Sequence, residues 1–289
     1  MSHLIYNQSL ADYNSWRVGG PAKCLYQPED REDLQNFLSQ LSQTSPDEKL
    51  FWIGLGSNLL IRDSGFDGTV ILTQGRLNRM SVLEDNIVRL EAGAACGTAA
   101  RFCARSGLTG LEFLAGVPGT IGGALAMNAG AHGGETWQFV IQCETIDRQG
   151  HIRLRPLSNY EPHYRHVIRP PEEWFTAAYF QLISGDRSES LEKIKTLLAH
   201  RAATQPINFP NCGSVFRNPP DDYAARLIEA CHLKGFRIGG ASVSTKHANF
   251  IINDQGAAAL DIENLIKHIQ QQVKDNFNIE LIREVHILG

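Results

Sequence analysis

The segment Gly110–Glu135 constrains this chain more than any other. It reads Gly-Leu-Glu-Phe-Leu-Ala-Gly-Val-Pro-Gly-Thr-Ile-Gly-Gly-Ala-Leu-Ala-Met-Asn-Ala-Gly-Ala-His-Gly-Gly-Glu, with glycine at 110, 116, 119, 122, 123, 130, 133 and 134. Glycine loses much backbone freedom on ordering and adds no side chain to a core, so it accumulates where the backbone must go somewhere a Cβ forbids. Here it alternates with Leu111, Phe113, Leu114, Val117, Ile121, Leu125 and Met127, which mark the segment as buried. Two readings fit. In one, bare N–H groups approach a ligand and form an anion-binding concavity suited to a pyrophosphate. In the other, the glycines make tight turns between short strands, a reading that a glycine-rich run by itself does not exclude.

The chain around this segment has 289 residues, enough for about two or three domains. Its 43% hydrophobic and 20% charged content predicts a soluble globular protein. A net charge of -4, without a basic cluster interleaved with aromatics, argues against a nucleic-acid surface. An anionic substrate then has to be held by a few placed cations. The start, Met1-Ser-His-Leu-Ile-Tyr6, lacks the regions of a secretory signal, and no apolar run is long enough to span a bilayer. Six cysteines, at 24, 96, 103, 143, 212 and 231, show no Cys-x-x-Cys spacing and mostly sit among apolar neighbours. This predicts buried thiols in the cytoplasm, with neither a metal site nor a disulfide framework. The phosphate-loop, zincin and nucleophile-elbow signatures are all absent.

Periodicity divides the chain into three regions. The first, to about Thr73, predicts a small α/β unit: a strand at Lys23–Gln27, then a helix after Pro28 whose Leu34, Phe37, Leu38 and Leu41 share one face, then a strand at Leu50–Ile53. That strand runs directly into Gly54-Leu-Gly-Ser-Asn-Leu-Leu60. Leu59 occupies the place of the third glycine of a dinucleotide fingerprint, so this is not a Rossmann signature, and a hairpin turn is the equal alternative. Upstream, Arg17 stands beside Gly19 and Gly20, placed either for a phosphate contact or in a solvated turn.

The second region predicts a strand at Ile87–Ala92, a helix over Gly97–Ser106 closed by Gly107, and a hairpin around Arg148–Gly150. A Pro-rich loop carries Tyr164 and Arg165 before a strand at Phe175–Ile183, and Leu191, Ile194, Leu197 and Leu198 mark a linking helix. The third region places Ser214 in a loop entering a strand, then a helix through Tyr223, Leu227, Ile228 and Cys231. A Gly/Ser loop from Gly239 follows and runs into a strand at Phe250–Ile252. Ile262, Leu265, Ile266, Ile269 and Val273 stripe a last helix. A final strand is expected over Ile279–Gly289, and the alternation around Glu284 there favours a surface position.

Several of these segments, in order and across nearly the whole chain, resemble the UDP-N-acetylenolpyruvoylglucosamine reductases, flavoenzymes that complete UDP-N-acetylmuramic acid for bacterial peptidoglycan. The resemblance rests on Asn14-Ser-Trp-Arg-Val-Gly-Gly-Pro-Ala22, Gly54-Leu-Gly-Ser-Asn-Leu-Leu60, Gly116-Val-Pro-Gly-Thr-Ile-Gly-Gly-Ala124 and Met127-Asn-Ala-Gly-Ala131. It continues through Tyr164-Arg165, Gly213-Ser-Val-Phe-Arg-Asn-Pro219, Lys246-His-Ala-Asn-Phe250 and Glu284-Val285. It implies an α+β chain: a vanillyl-alcohol-oxidase-type FAD-binding fold in two α/β subdomains, residues 1–74 and 75–203, and a C-terminal α+β substrate domain over 204–280. Residues 281–289 would return to the active site.

The resemblance also implies the chemistry. NADPH reduces non-covalently bound FAD, and hydride then passes to the methylene carbon of the enolpyruvyl group of the UDP-sugar. Arg165 and a protonated Glu284 match the pair that stabilises the resulting enolate, and Ser214 matches the proton donor to the α carbon. Cofactor contacts fall on Arg17, Gly54, Gly56, Ser57, Asn58, Leu59, Gly116, Pro118, Gly119, Thr120, Gly122, Gly123, Asn128, Ala129 and Gly130. Substrate contacts fall on Tyr164, Asn218, Lys246, His247 and Asn249. No nucleic acid, membrane or obligate protein partner is implied. After Tyr164-Arg165 the family often has a serine and an aromatic, where this chain has His166-Val-Ile-Arg-Pro-Pro171. The compact third region matches the shorter subgroup, which lacks a substrate-covering insertion. Two alternatives stay open: a flavin oxidase or dehydrogenase of the same fold with another substrate, and a non-catalytic flavin or nucleotide-sugar binding module.

Overall fold

The computed structural model describes residues 3–289. They divide into two units, each with its own core. The first comprises the segment up to Tyr6, Cys24–Leu55 and Gly68–Ala199; the second comprises Asn7–Lys23, Gly56–Asp67 and His200–Gly289.

In the first unit, helix α1 (Arg31–Thr44) begins where Asp30 accepts a hydrogen bond from the Asp33 amide at 3.0 Å. This satisfies one of the amides that a helix start leaves without a partner. Its Leu34 and Leu38 are fully buried, in one cluster with Tyr26, Ile71, Leu77 and Ile146. Phe37 stacks on Tyr26 with ring centroids 3.7 Å apart. The neighbouring sheet has the strand order 3–9, 21–27, 66–72, 50–53, and its last pair is parallel.

A second, five-stranded sheet follows the order 152–156, 140–147, 173–181, 87–91, 80–82, antiparallel throughout. It contributes to the largest core of this unit, together with helix α2 (Cys96–Arg105) and helix α3 (Ile121–Met127). The hairpin expected around Arg148–Gly150 is present as strands 140–147 and 152–156. Tyr164 and Arg165, by contrast, do not lie in an open loop. They form the tip of a hairpin whose strands, Glu161–His163 and His166–Ile168, pair antiparallel and bury Val167. Prolines at 162, 170 and 171 hide this short pairing from a periodicity argument.

On the five-stranded sheet Glu144 is 5% exposed. It accepts hydrogen bonds from Arg89 at 2.7 and 2.8 Å, from Arg31 at 3.0 Å and from the Tyr179 hydroxyl at 2.6 Å. Burial by itself raises a carboxyl pKa. Here the hydrogen bonds from Arg89 and Tyr179 and the charges of Arg89 and Arg31 outweigh it, holding Glu144 at about 2. A depressed folded-state pKa contributes stability that is complete above the ordinary carboxylate range and is lost as pH falls through the folded value. The thermal midpoint is therefore expected to decline between about pH 5 and pH 2. Glu144→Gln should be less stable at neutral pH and show a shallower acid decline in a melting series. An unchanged slope in that variant would show that Glu144 does not govern the transition.

The second unit is built on helix α6 (Ala259–Phe277), preceded by helix α4 (Arg187–Thr204), through which the division between the units passes, and helix α5 (Ala224–Ala230). The stripe Ile262, Leu265, Ile266, Ile269 and Val273 is buried at 0–1% exposure, in one cluster with Trp16, Leu60, Val215, Phe216 and Leu227. A three-stranded sheet runs in the order 237–238, 241–243, 251–253. Its middle strand falls where a Gly/Ser loop was expected. Ala241 and Ser242 are small because they are buried, not because they turn.

The final strand is shorter than its alternation predicts. Only His286–Leu288 is a strand, pairing in parallel with Leu59–Ile61. Likewise the segment after Ser214 enters no strand and makes one isolated bridge, Phe216 with Arg283. All six cysteines are free thiols. Among the described residues, no helix is long and apolar enough to cross a membrane, and no group of three or more His, Cys, Asp or Glu could hold a metal ion.

Candidate active site

The glycine-rich segment folds as a 3-10 turn (Glu112–Gly116), an extended stretch, helix α3 and a tight hairpin (Gly130–Ala131 with Gly134–Glu135). Its glycines serve two different ends. Gly122 faces Ala92, whose Cβ would lie 3.0 Å from an added Cβ, and Gly130 faces the Gly134 carbonyl at 2.7 Å. Gly54 likewise leaves room for Thr120, since a Cβ there would meet Oγ1 at 2.3 Å. These positions are glycine because the protein packs against them.

Gly116 and Gly123 are different. An added Cβ would meet nothing nearer than 3.8 Å, the neighbours being His132 and Thr120. Gly123 is exposed although the elements around it are core. Bare backbone at these two points leaves space for a ligand, and Gly116, Pro118, Gly119 and Gly123 all retain exposure. That is the surface a flavin dinucleotide requires. The expectation of a full row of outward amides is narrowed, however. The Ile121 and Gly122 amides donate inward, to the Ala94 carbonyl at 2.9 Å and the Ala92 carbonyl at 2.8 Å. Thr120 caps α3 through its own side chain.

Asn128 ends α3 in the left-handed conformation. Its buried amide donates to Glu135 at 3.0 Å and to the His163 carbonyl at 3.2 Å, and accepts from the Trp137 amide at 3.3 Å. Ala129 accepts from both the amide and the hydroxyl of Thr136. Gly130 accepts from Arg165 Nη2 at 3.1 Å. Two bonds, Asn128 to His163 and Arg165 to Gly130, therefore dock the 161–168 hairpin onto the glycine-rich segment. Arg165 sits in the left-handed region (φ 56°), with its guanidinium 4.9 Å from the centroid of the Tyr164 ring. His132, beside Gly116, was not singled out from the sequence; the signal for it is its position at the tip of a glycine hairpin.

The second unit assembles its candidate residues from chain-distant pieces. Gly56 has positive φ and lies against Tyr13, whose carbonyl would be 2.1 Å from a Cβ, and its own carbonyl accepts from Ser15 at 3.1 Å. This holds the Gly56-Ser57-Asn58-Leu59 run beside the turn that carries exposed Arg17. Asn58 donates from Nδ2 to the Glu284 carbonyl at 3.1 Å and accepts from the His286 amide at 3.1 Å. Cys212 packs its thiol on the Leu59 carbonyl at 3.4 Å, and burial pushes that thiol up to about 12, so it stays protonated.

Ser214 follows Gly213, which turns the chain at φ 73° with its amide held by Asn211 at 3.0 Å. Among the described residues nothing hydrogen-bonds the Ser214 hydroxyl. The backbone just beyond it is held on both sides. The Glu284 amide donates to the Val215 carbonyl at 2.8 Å, and the Arg217 amide to the Ile282 carbonyl at 2.9 Å. On the other side Val215 and Phe216 are bonded to Asn249. Ser214 and Glu284 are thus carried on one small framework, and Glu284 is half-buried rather than a surface residue of a long strand.

Asn218 accepts from the Ala224 amide at 3.1 Å, at the start of α5. Exposed Lys246 reaches the Ala202 carbonyl at 2.6 Å. His247 accepts at Nδ1 from the Asn249 amide at 3.3 Å, and burial, helped by the charge of Lys234, lowers its pKa.

Known proteins are similar to this chain along nearly its whole length. The family model described as UDP-N-acetylenolpyruvoylglucosamine reductase, C-terminal domain, matches residues 205–288, and an FAD binding domain model matches residues 22–154. The UDP-N-acetylenolpyruvoylglucosamine reductase of Legionella pneumophila (strain Corby) is 60% identical over 99% of this chain and 92% of its own length. That of Alkalilimnicola ehrlichii is 54% identical over 98% of this chain and 93% of its own. The crystal structure of the Thermus caldophilus reductase superposes with a TM-score of 0.84 at 30% identity, covering 100% of this chain and 99% of that one. The fold is therefore α+β with an FAD-binding part, and the chain belongs to the UDP-N-acetylenolpyruvoylglucosamine reductase family.

Proposed function

We propose that Ser214, Glu284 and Arg165 carry the chemistry of this chain's reaction, the NADPH-dependent reduction of UDP-N-acetylglucosamine enolpyruvate to UDP-N-acetylmuramate in peptidoglycan precursor synthesis. Bound FAD supplies hydride transfer from NADPH to the methylene carbon of the enolpyruvyl group. The remaining work falls to side chains. Hydride addition places negative charge on the α carbon and its carboxylate, so donors must be aimed where that charge develops. The planar Arg165 guanidinium binds a carboxylate through two parallel hydrogen bonds, and the Glu284 carboxyl shares the enolate charge. The Ser214 hydroxyl gives its proton to the α carbon, which completes the saturated lactyl ether.

The observation that carries this reading is the 2.8 Å bond from the Glu284 amide to the Val215 carbonyl, which ties Glu284 to the residue after Ser214. It is supported by a serine hydroxyl that no group among the described residues engages. Gly54, Gly56, Ser57, Asn58 and Leu59, with Arg17, Gly116–Gly123 and Asn128–Gly130, would hold the flavin. Tyr164, Asn218, Lys246 and His247 would face the UDP-sugar. Residues 1–74 and 75–203 would supply the FAD-binding part and 204–280 the UDP-sugar part, in the shorter subgroup of the family, with bounds that differ from those of the two packed units. The enzyme works in the cytoplasm on a soluble nucleotide sugar, without a nucleic-acid, membrane or obligate protein partner. NADPH oxidation that depends on the enolpyruvyl sugar tests the reading, and turnover of NADPH without that sugar would contradict it.

The glycine-rich surface offers backbone rather than a nucleophile to the cofactor, and the buried thiols at Cys96, Cys103, Cys143 and Cys212 are all pushed up to about 12. Acid precipitation should therefore release all of the yellow colour into the supernatant, as non-covalent binding requires. Colour that stays with the pellet would contradict it.

A further inference from the structure

Asn249 is 4% exposed and makes three hydrogen bonds to the two residues that follow Ser214. Its side-chain Nδ2 donates to the Phe216 carbonyl at 2.8 Å, its Oδ1 accepts from the Phe216 amide at 3.0 Å, and its main-chain carbonyl accepts from the Val215 amide at 2.9 Å. A side-chain amide that bonds both polar groups of one residue imitates a neighbouring strand, in a place where the chain forms none. On the opposite edge the same short segment is bonded by Glu284 and Ile282. The clamp takes one donor and one acceptor site of the Asn249 amide, and at 4% exposure the side chain offers little surface to a substrate.

We infer that Asn249 is a positioning residue, which fixes the 215–216 backbone against Glu284 and so sets where the Ser214 hydroxyl stands relative to the Glu284 carboxyl. The inference rests on the assignment of Ser214 as proton donor and replaces a direct substrate contact for Asn249. The physical demand is strict. A weak acid such as a serine hydroxyl protonates carbon only when distance and angle are held, and an error of about 1 Å slows such a step by roughly 10²-fold. Gly213, before Ser214, is left-handed with nothing within 4 Å of an added Cβ, and its amide is held by a single bond to Asn211 at 3.0 Å. The clamp beyond Ser214 adds bonds on both edges of the backbone.

The test is stopped-flow measurement of both half-reactions on the FAD-loaded enzyme, for the parent, Asn249→Ala, Asn249→Asp, Ser214→Ala and the Ser214→Ala/Asn249→Ala double variant. Asn249→Asp keeps shape and the acceptor for the Phe216 amide, and serves if the Ala variant loses FAD or folds poorly. Asn249→Ala is expected to be reduced by NADPH at close to the parent rate, and to pass hydride to the enolpyruvyl sugar roughly 10- to 100-fold more slowly. Asn249→Asp should fall between the Ala variant and the parent. Added to Ser214→Ala, the Asn249 change should slow the second half-reaction no further, because both act through one proton transfer. Amide hydrogen exchange at Phe216 should quicken in Asn249→Ala.

A stalled Ser214→Ala beside an Asn249→Ala that reoxidises like the parent overturns the inference and leaves the Ser214 assignment standing. Normal reoxidation in Ser214→Ala overturns the assignment itself. Equal slowing of both half-reactions in both Asn249 variants, or full additivity in the double variant, reduces Asn249 to a stabilising residue and overturns the inference.

Discussion

A Ser214→Ala enzyme is expected to bind FAD, to be reduced by NADPH at close to the parent rate, and then to stall. Oxidation of its flavin by the enolpyruvyl sugar should slow by about 10²–10⁴, the usual scale for losing a positioned acid. Several structural facts make the substitution a clean probe. The hydroxyl has no partner among the described residues, so its removal leaves none of their buried groups unsatisfied. The backbone beyond it is held by Asn249 and by Ile282 and Glu284, none of which bonds to the Ser214 side chain. The change in folding stability should therefore stay within about 0.5 kcal/mol. A serine that only completes a turn would give a different pattern, in which neither half-reaction changes or both decline with stability. Flavin absorbance traces for the two half-reactions separate these cases, and normal reoxidation would remove Ser214 from the mechanism.

Arg165→Ala should lower kcat by about 10²–10³, the scale on which losing one preorganised donor to a developing oxyanion is felt. Lysine at the same position restores a charge but not the planar fork, so Arg165→Lys should recover only part of the loss. The structure adds a second reason. Arg165 Nη2 is anchored on the Gly130 carbonyl at 3.1 Å while the guanidinium lies near the Tyr164 ring, which orients the fork before substrate arrives. An ammonium on a flexible stem gains neither restraint. The hairpin itself remains tied to Asn128 through His163, so both variants should keep their fold and their flavin. A lysine variant as active as the parent would show that bidentate geometry is not needed.

Elements with strong periodicity were legible in the chain, and those held by single cross-bonds were not. The α6 stripe from Ile262 to Val273 is buried along its length because a helix with that spacing has one possible inner face. The hairpin at Arg148–Gly150 was equally plain. The hairpin carrying Tyr164 and Arg165 was hidden because its strands are three residues long and flanked by prolines. The tail from Ile279 alternates like a strand, yet its backbone is divided among Val215, Arg217 and Asn58, and only His286–Leu288 completes a ladder.

For the candidate site, the ordered motifs named residues but not the packing reason for each. Gly54 and Gly116 look alike in a sequence. One makes room for Thr120, while a Cβ at the other would reach only ordinary contact with His132, a difference that only packing reveals. The pair of hydrogen bonds between the Asn249 side chain and Phe216 joins residues 33 positions apart, which no local pattern encodes.

The bond from Asn58 to the Glu284 carbonyl, across 226 positions, also orders events during synthesis. At about 5–20 residues per second, a ribosome needs roughly 10–45 s to travel from one partner to the other. Until Cys212 is made, the face of Leu60, fully buried in the finished protein, lacks the residues from Cys212 onward that share its cluster. The nascent second unit therefore presents apolar surface suited to capture by a holding chaperone. The first unit, whose segments end at Ala199, has already been made. A chain stalled between Leu60 and Cys212 would therefore keep that apolar face uncovered.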